Sequence, residues 1–173
     1  SVVSNGLTPD RLASVISSAT EGEIEDFVTL AEEMEERDLH YRGVLGDRKL
    51  AITGAPMRAE SADESDRANE IAEVFTEEVL EKPAFNELVL DLLDALGKSF
   101  SVIEPIWDTS GKYWNIDRYE HRDQRWFKFD KNDLRTLLLR TDDEPEGILP
   151  PAGAFIVHKP KLKSGVPIRM GLG

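Results

Sequence analysis

Residues 83 to 107 read PAFNELVLDLLDALGKSFSVIEPIW, and the hydrophobic period changes in the middle of them. Up to Leu96 the apolar residues Phe85, Leu88, Val89, Leu92, Leu93 and Leu96 recur three and four apart, which is the signature of one broad helix face. Pro83 suits the first helical position, where its missing N–H has no partner to lose, and Gly97 suits the stop. From Phe100 the pattern is that of a strand, through Val102, Ile103, Ile106 and Trp107, and Asp108-Thr109-Ser110-Gly111 supplies a turn. A helix running into a strand at one short junction divides the chain into a helical half and a sheet half.

Toward the N-terminus the helical period continues. Thr8 is an N-cap with Pro9 at the first position, and Leu12, Val15, Ile16 and Ala19 follow at helical spacing. A second helix carries Ile24, Phe27, Val28, Ala31 and Met34 on one face. Its other face is acidic, since Glu21 to Asp38 holds nine acids and one base, Arg37. Asp38 caps a third helix through Val44, Leu45 and Lys49, ending near Gly54. The spacing predicts a short strand at Pro56–Glu60, a polar connection at Ser61–Asp66, and a helix over Arg67–Glu81 through Ile71, Phe75 and Val79.

Toward the C-terminus, Tyr113–Tyr119, Arg125–Phe129, Leu134–Arg140 and Phe155–Val157 read as further strands, the last after the Pro150-Pro151 break. Eight of the thirteen aromatics lie between Phe100 and Phe129, which suits a half-buried antiparallel sheet. The fold class is therefore α+β, with N-terminal helices (about 8–96) packed on a mainly antiparallel sheet (about 99–158) in one domain, 1–158. Residues 159–173 follow as an extended basic Gly/Pro-containing segment. From Gly147 onward there is no acid, while Lys159, Lys161, Lys163 and Arg169 are basic, so this tail is expected to bury little. The closing Met170-Gly171-Leu172-Gly173 caps nothing and reads as a cut through a longer chain.

Composition sets outer limits. At 173 residues and 40% apolar content the chain is one domain with a real core. Its 34 acids against 21 bases give a formal net charge of −13, which argues against a free-standing sequence-specific nucleic-acid binder. The same charge suits a surface past which nucleic acid slides without sticking. With no cysteine, disulfides and thiolate metal sites are excluded. The most apolar stretch, Leu88 to Leu96, is broken by Asp91 and Asp94 and falls short of the ~20 residues a span needs. Ser1 to Gly6 shows neither a basic region nor an apolar core of a signal peptide, so a soluble intracellular protein is expected.

Catalytic motifs are missing: no phosphate-binding or dinucleotide glycine loop, no nucleophile elbow, no His-Glu-x-x-His. The three histidines, His40, His121 and His158, fall in different elements. The best polar cluster is Asp117, Glu120, His121 and Asp123. Strand alternation places Asp117, Tyr119 and His121 on one face, where a metal-dependent hydrolase site using Asp117, His121 and Asp123 is conceivable. An exposed strand edge, with Arg118, Arg122 and Arg125 neutralising the neighbouring acids, explains the cluster better because nothing else converges on it. Arg118, Arg122 and Arg125 make an equally thin phosphate site. No catalytic, metal or cofactor-binding residue is assigned, and no cofactor is expected. The acidic helices alone also fit an adaptor domain that binds a basic partner. The opposite signs of the two ends make Lys159, Lys161, Lys163 and Arg169 candidates for a subunit contact, with Glu32, Glu35 or Glu36 of a neighbour as acceptors.

Several segments resemble the Mu-like bacteriophage portal proteins: Leu30-Ala31-Glu32-Glu33-Met34-Glu35-Glu36-Arg37-Asp38, His40-Tyr41-Arg42 and Leu45-Gly46-Asp47-Arg48-Lys49. Ala95-Leu96-Gly97-Lys98-Ser99-Phe100-Ser101 is similar to their helix-to-strand junction. Arg125-Trp126-Phe127-Lys128-Phe129-Asp130, Pro150-Pro151 and Phe155-Ile156-Val157-His158 are similar to their sheet and exit segment. The most specific piece is Lys161-x-Lys163-Ser164-Gly165-x-Pro167-x-Arg169-x-Gly171-Leu172. The resemblance runs through nearly the whole chain in the same order. It implies the outer, wing-like part of a portal subunit, with the stem, the clip and the channel-lining helices absent. Such subunits form rings, commonly of twelve, at a capsid vertex of the virion after assembly in the host cytoplasm. DNA passes through the ring without sequence-specific binding, and terminase, capsid and head-completion proteins are the partners. The family carries no catalytic residues.

Overall fold

The computed structural model describes residues 3–171; Leu172 and Gly173, the end of the expected cut, lie outside the described residues. The helices are α1 (Pro9–Thr20), α2 (Glu25–Arg37), α3 (Leu39–Thr53), α4 (Asp66–Phe75), α5 (Pro83–Leu92) and α6 (Ala95–Lys98). The strands are β1 (Ser101–Asp108), β2 (Asn115–Arg122), β3 (Phe127–Phe129), β4 (Leu137–Leu139) and β5 (Ile156–His158). β2, β1 and β5 form one sheet in that order and β3 with β4 a second, all pairs antiparallel, as an α+β fold requires.

The caps act where the residue types call for them. The Thr8 hydroxyl accepts the Arg11 N–H, and Asp38 accepts the N–H groups of His40 and Tyr41, each satisfying donors that a helix start leaves unpaired. The main core joins the two halves: Ala19, Ile24 and Val28 meet Phe100, Val102, Phe127, Phe129, Leu137 and Ile168. Phe100 packs edge-on against Phe129 with ring centroids 5.3 Å apart, and Phe127 does the same with Phe155 at 5.4 Å. Gly22 leads from α1 into this core at φ +100°, and a Cβ there would collide with the Phe129 carbonyl. A second cluster sets Leu45 of α3 against Val89, Leu93 and Leu96.

Six expectations are corrected. Pro56–Glu60 is irregular backbone, since no neighbouring strand offers it a ladder. The helix over Arg67–Glu81 starts one residue earlier, at Asp66, and changes after Phe75 into a π-helical turn, Thr76–Leu80. The long helix breaks at Leu93, so Leu93 takes the buried position while Leu92 is half-buried. Gly97 is not the stop: it lies within α6 against Tyr41 and Leu45, and Ser99 (φ +74°) takes the left-handed turn. The strands move as well: Tyr113–Tyr119 becomes Asn115–Arg122, Arg125–Phe129 begins with a 3₁₀ turn, and Leu134, at φ +54°, lies outside β4.

The tail is the sixth correction. It leaves the sheet after His158, but Pro167–Arg169 forms a 3₁₀ turn that buries Ile168 and Met170. The Ser99 hydroxyl donates to the Ile168 carbonyl at 2.7 Å and accepts the Gly171 N–H at 3.1 Å. A Cβ on Gly171 would come within 2.6 Å of Ser99 Oγ, so only glycine allows the tail this close. The part that buries little is the strap Lys159–Gly165, in which only Pro160 is buried.

Candidate functional site

The densest polar cluster lies under the break between α5 and α6 and centres on Asp94. Its carboxylate accepts Gln124 Nε2–H at 2.8 Å and pairs with Lys98 at 3.0 Å, Lys49 at 3.6 Å and His121 at 3.6 Å. Around it, Glu35 holds Lys49 at 3.3 Å, while Glu32 holds Lys98 at 3.5 Å and Arg125 at 3.1 Å. Gln124 also donates to the Phe100 carbonyl, which ties the cluster to the aromatic core. Burial opposes ionisation of Asp94, but nearby His121, the Lys98 ammonium and the Gln124 N–H outweigh it and hold the carboxyl far below the usual carboxylate range. Burial likewise disfavours the Lys98 ammonium, and Asp94 and Glu32 overcome this and raise its pKa.

This arrangement joins α2, α3, α6 and β2 by charge. Each Asp94 oxygen already faces a cation, so its charge is compensated within the fold. Among the described residues no group of three or more potential ligands is placed to hold a metal ion. Among the described residues the buried Tyr41 hydroxyl and His121 Nε2 find no hydrogen-bond partner, and burial together with Glu35 and Asp94 pushes the Tyr41 pKa up.

The sequence-derived cluster does not converge. Asp117 pairs with Arg118 at 2.7 Å and Arg118 with Glu120 at 2.9 Å. Arg122 bridges Glu104 and Glu120 at 2.6 and 2.7 Å, and Asp123 pairs with Arg125 at 2.8 Å. His121 faces Asp94, so Asp117, His121 and Asp123 do not share a ligand sphere. The three arginines neutralise their neighbours along the edge strand. Sequence reasoning missed Asp94, Lys98, Lys49 and Gln124. The signal was present: Asp94 and Lys98 sit four apart at the end of an apolar stripe, the spacing of a helical ion pair.

The basic strap is divided in its contacts. Lys159 donates to the Arg135 carbonyl at 2.8 Å and lies 5.7 Å from the centre of the Phe129 ring. Desolvation there lowers its pKa. Lys161, Lys163 and Arg169 are exposed and form no ion pair among the described residues. Of the expected acceptors, Glu32 and Glu35 are already held by internal cations, which leaves Glu36 exposed.

With this geometry in hand, comparison with known proteins gives a class. Residues 28–173 match the family model described as the portal protein of Mu bacteriophage. The chain is 30% identical over 175 residues to the Mu-like prophage FluMu protein gp29 of Haemophilus influenzae, covering 97% of this chain and 33% of that protein. It is 32% identical over 164 residues to the portal protein of Escherichia phage Mu, covering 94% of this chain and 32% of that one. The chain belongs to the Mu bacteriophage portal protein family. It spans about a third of the length of the curated relatives it matches.

Proposed function

We infer that this chain is the wing-like part of a phage portal subunit, a structural element of the ring through which DNA is packaged and ejected at a capsid vertex. The observation that carries the reading is the family match over residues 28–173, beside the 32% identity to a portal protein over 94% of the chain. The cluster at Asp94 supports it, because a network whose charges all face one another stiffens a scaffold rather than turning over a substrate. The net charge of −13 supports passage of DNA without retention, since phosphates are repelled. Residues 1–158 form the domain of this subunit and 159–173 its basic connection onward, whose Pro167–Arg169 turn packs back onto the domain core. Other subunits, commonly twelve to a ring, are the first partners; terminase, capsid and head-completion proteins are the later ones. The site of action is the virion, with assembly in the host cytoplasm. Lys161, Lys163 and Arg169, with Lys159 nearer the domain, form the subunit contact.

Electron microscopy of the intact protein tests this directly. A closed ring with an open axial channel is expected, and a chain that remains monomeric at all concentrations would overturn the reading.

A further inference from the structure

The tip of the β1–β2 hairpin exposes aromatic surface that the internal packing does not use. Trp114 and Tyr113 are each 70% exposed and Trp107 45%, and the two indoles lie 6.4 Å apart. Together with the π-helical turn and the start of α5 the two indoles wall an open groove of about 680 Å³. Its charged lining is Glu78, Asp108, Asp117 and Lys82; Lys82 pairs with Glu78 at 3.3 Å and Arg118 holds Asp117 at 2.7 Å, which leaves Asp108 as the carboxylate without a cation among the described residues. Exposed indoles beside carboxylates are chemistry for a cation on an aliphatic stem: the ring faces attract the charge, and their apolar area covers the methylenes.

The molecule carries a matching segment, Lys159-Pro160-Lys161-Leu162-Lys163, with no acid in it and Leu162 48% exposed. That strap cannot fill its own groove. His158 pairs with Ser101 at one end of the strap and Ile168 is bonded to Ser99 at the other, so both ends are fixed at the start of β1. Lys163 lies near Ile16, Ala19 and Phe27, on the helical side. The groove lies at the other end of β1, beside Trp107 and Asp108, about 20 Å away at the rise of an extended strand.

We propose that the Trp107–Trp114 groove receives the Lys161–Lys163 strap of a second copy of this chain. The contact joins two different surfaces, so it is heterologous, and repetition by rotation closes a ring. It rests on the portal reading and names the acceptor which that reading lacks, in place of Glu32 and Glu35. The indoles hold the stems of Lys161 and Lys163; Asp108, which pairs with no cation among the described residues, faces the ammonium groups; and Leu162 enters the apolar wall.

The test uses the intact protein and two variants followed by sedimentation velocity over a dilution series. The strap variant is Lys161→Glu with Lys163→Glu; the groove variant is Asp108→Lys with Trp114→Ser. All four positions are exposed, and an altered half on each side keeps the test decisive if one variant folds poorly. Each variant alone is expected to need at least tenfold more protein to associate. Mixed together they are expected to form one-to-one dimers that do not close, because one intact groove then meets one intact strap. If the wild-type ring forms and neither variant shifts its dissociation, the contact is wrong and the portal reading stands. If the wild type itself stays monomeric, both fall.

Discussion

Helices α2 and α4 are built to the same recipe and end in opposite situations. Both are acidic on one side and apolar on the other. α2 buries Val28, Leu30 and Ala31 against the sheet and α1, and it even buries Glu33, whose carboxylate accepts the N–H groups of Val3 and Ser4. α4 buries nothing: Ile71 is 54% exposed and Phe75 46%. Periodicity therefore tells which face of a helix is apolar, and not whether its own chain supplies a cover.

The sharpest way to break this contrast is to shorten side chains on each side of it. Phe100→Ala, in the core that α2 covers, should destabilise the fold by about 3–5 kcal/mol in denaturant melts, as for removal of a fully buried ring. Asp94→Ala should cost about 3 kcal/mol, because it takes the shared anion from the largely buried Lys98 and Lys49 and leaves them only Glu32 and Glu35. Its pH dependence has a definite sign. The folded pKa of Asp94 lies below the ordinary 3.8, so its contribution is present above that value and is lost as pH falls below it. An acid titration of stability should therefore drop below about pH 4 in the wild type, and this limb should be shallower in the variant.

Gly22→Ala should cost roughly 1–3 kcal/mol, since alanine is strained at φ +100° and its methyl meets the Phe129 carbonyl. Thermal melts of the variant and of Gly6→Ala separate the two contributions, because Gly6 also has positive φ (+66°) but open space around it. The smallest effect belongs to α4. Phe75→Ala should change stability by no more than ~0.5 kcal/mol, and a loss of 2 kcal/mol or more would mean that α4 is covered within the chain.

The same contrast explains what the sequence discloses. The helices with caps and a three-to-four repeat are legible, as is the change of period at Phe100, because both are local patterns. The break at Leu93 is not: Leu92 and Leu93 are equally apolar, and only the pull of Asp94 toward Gln124 and Lys98 decides which is buried. Ile168 and Met170 carry no period at all. Their burial depends on Ser99, some seventy residues earlier in the chain, meeting a glycine it can approach. The ion cluster was hidden for a related reason, since its members come from α2, α3, α6, β2 and the turn before β3. The arginine pairs with Asp117, Glu120 and Asp123 were legible because the partners lie one or two residues apart, whereas Arg122 reaches Glu104 across the hairpin.

The strand order β2-β1-β5 leaves two open sheet edges, and each is guarded against aggregation by different means. β2 is eight residues long and carries Asp117, Arg118, Glu120 and Arg122, whose charges resist pairing with a stray strand. β5 is only three residues long and runs at once into Lys159-Pro160, where a further backbone ladder cannot form. Many copies of such a chain held at close quarters would otherwise stack edge to edge into fibrils. With both edges blunted, crowding favours contacts between side-chain surfaces over spurious sheet extension.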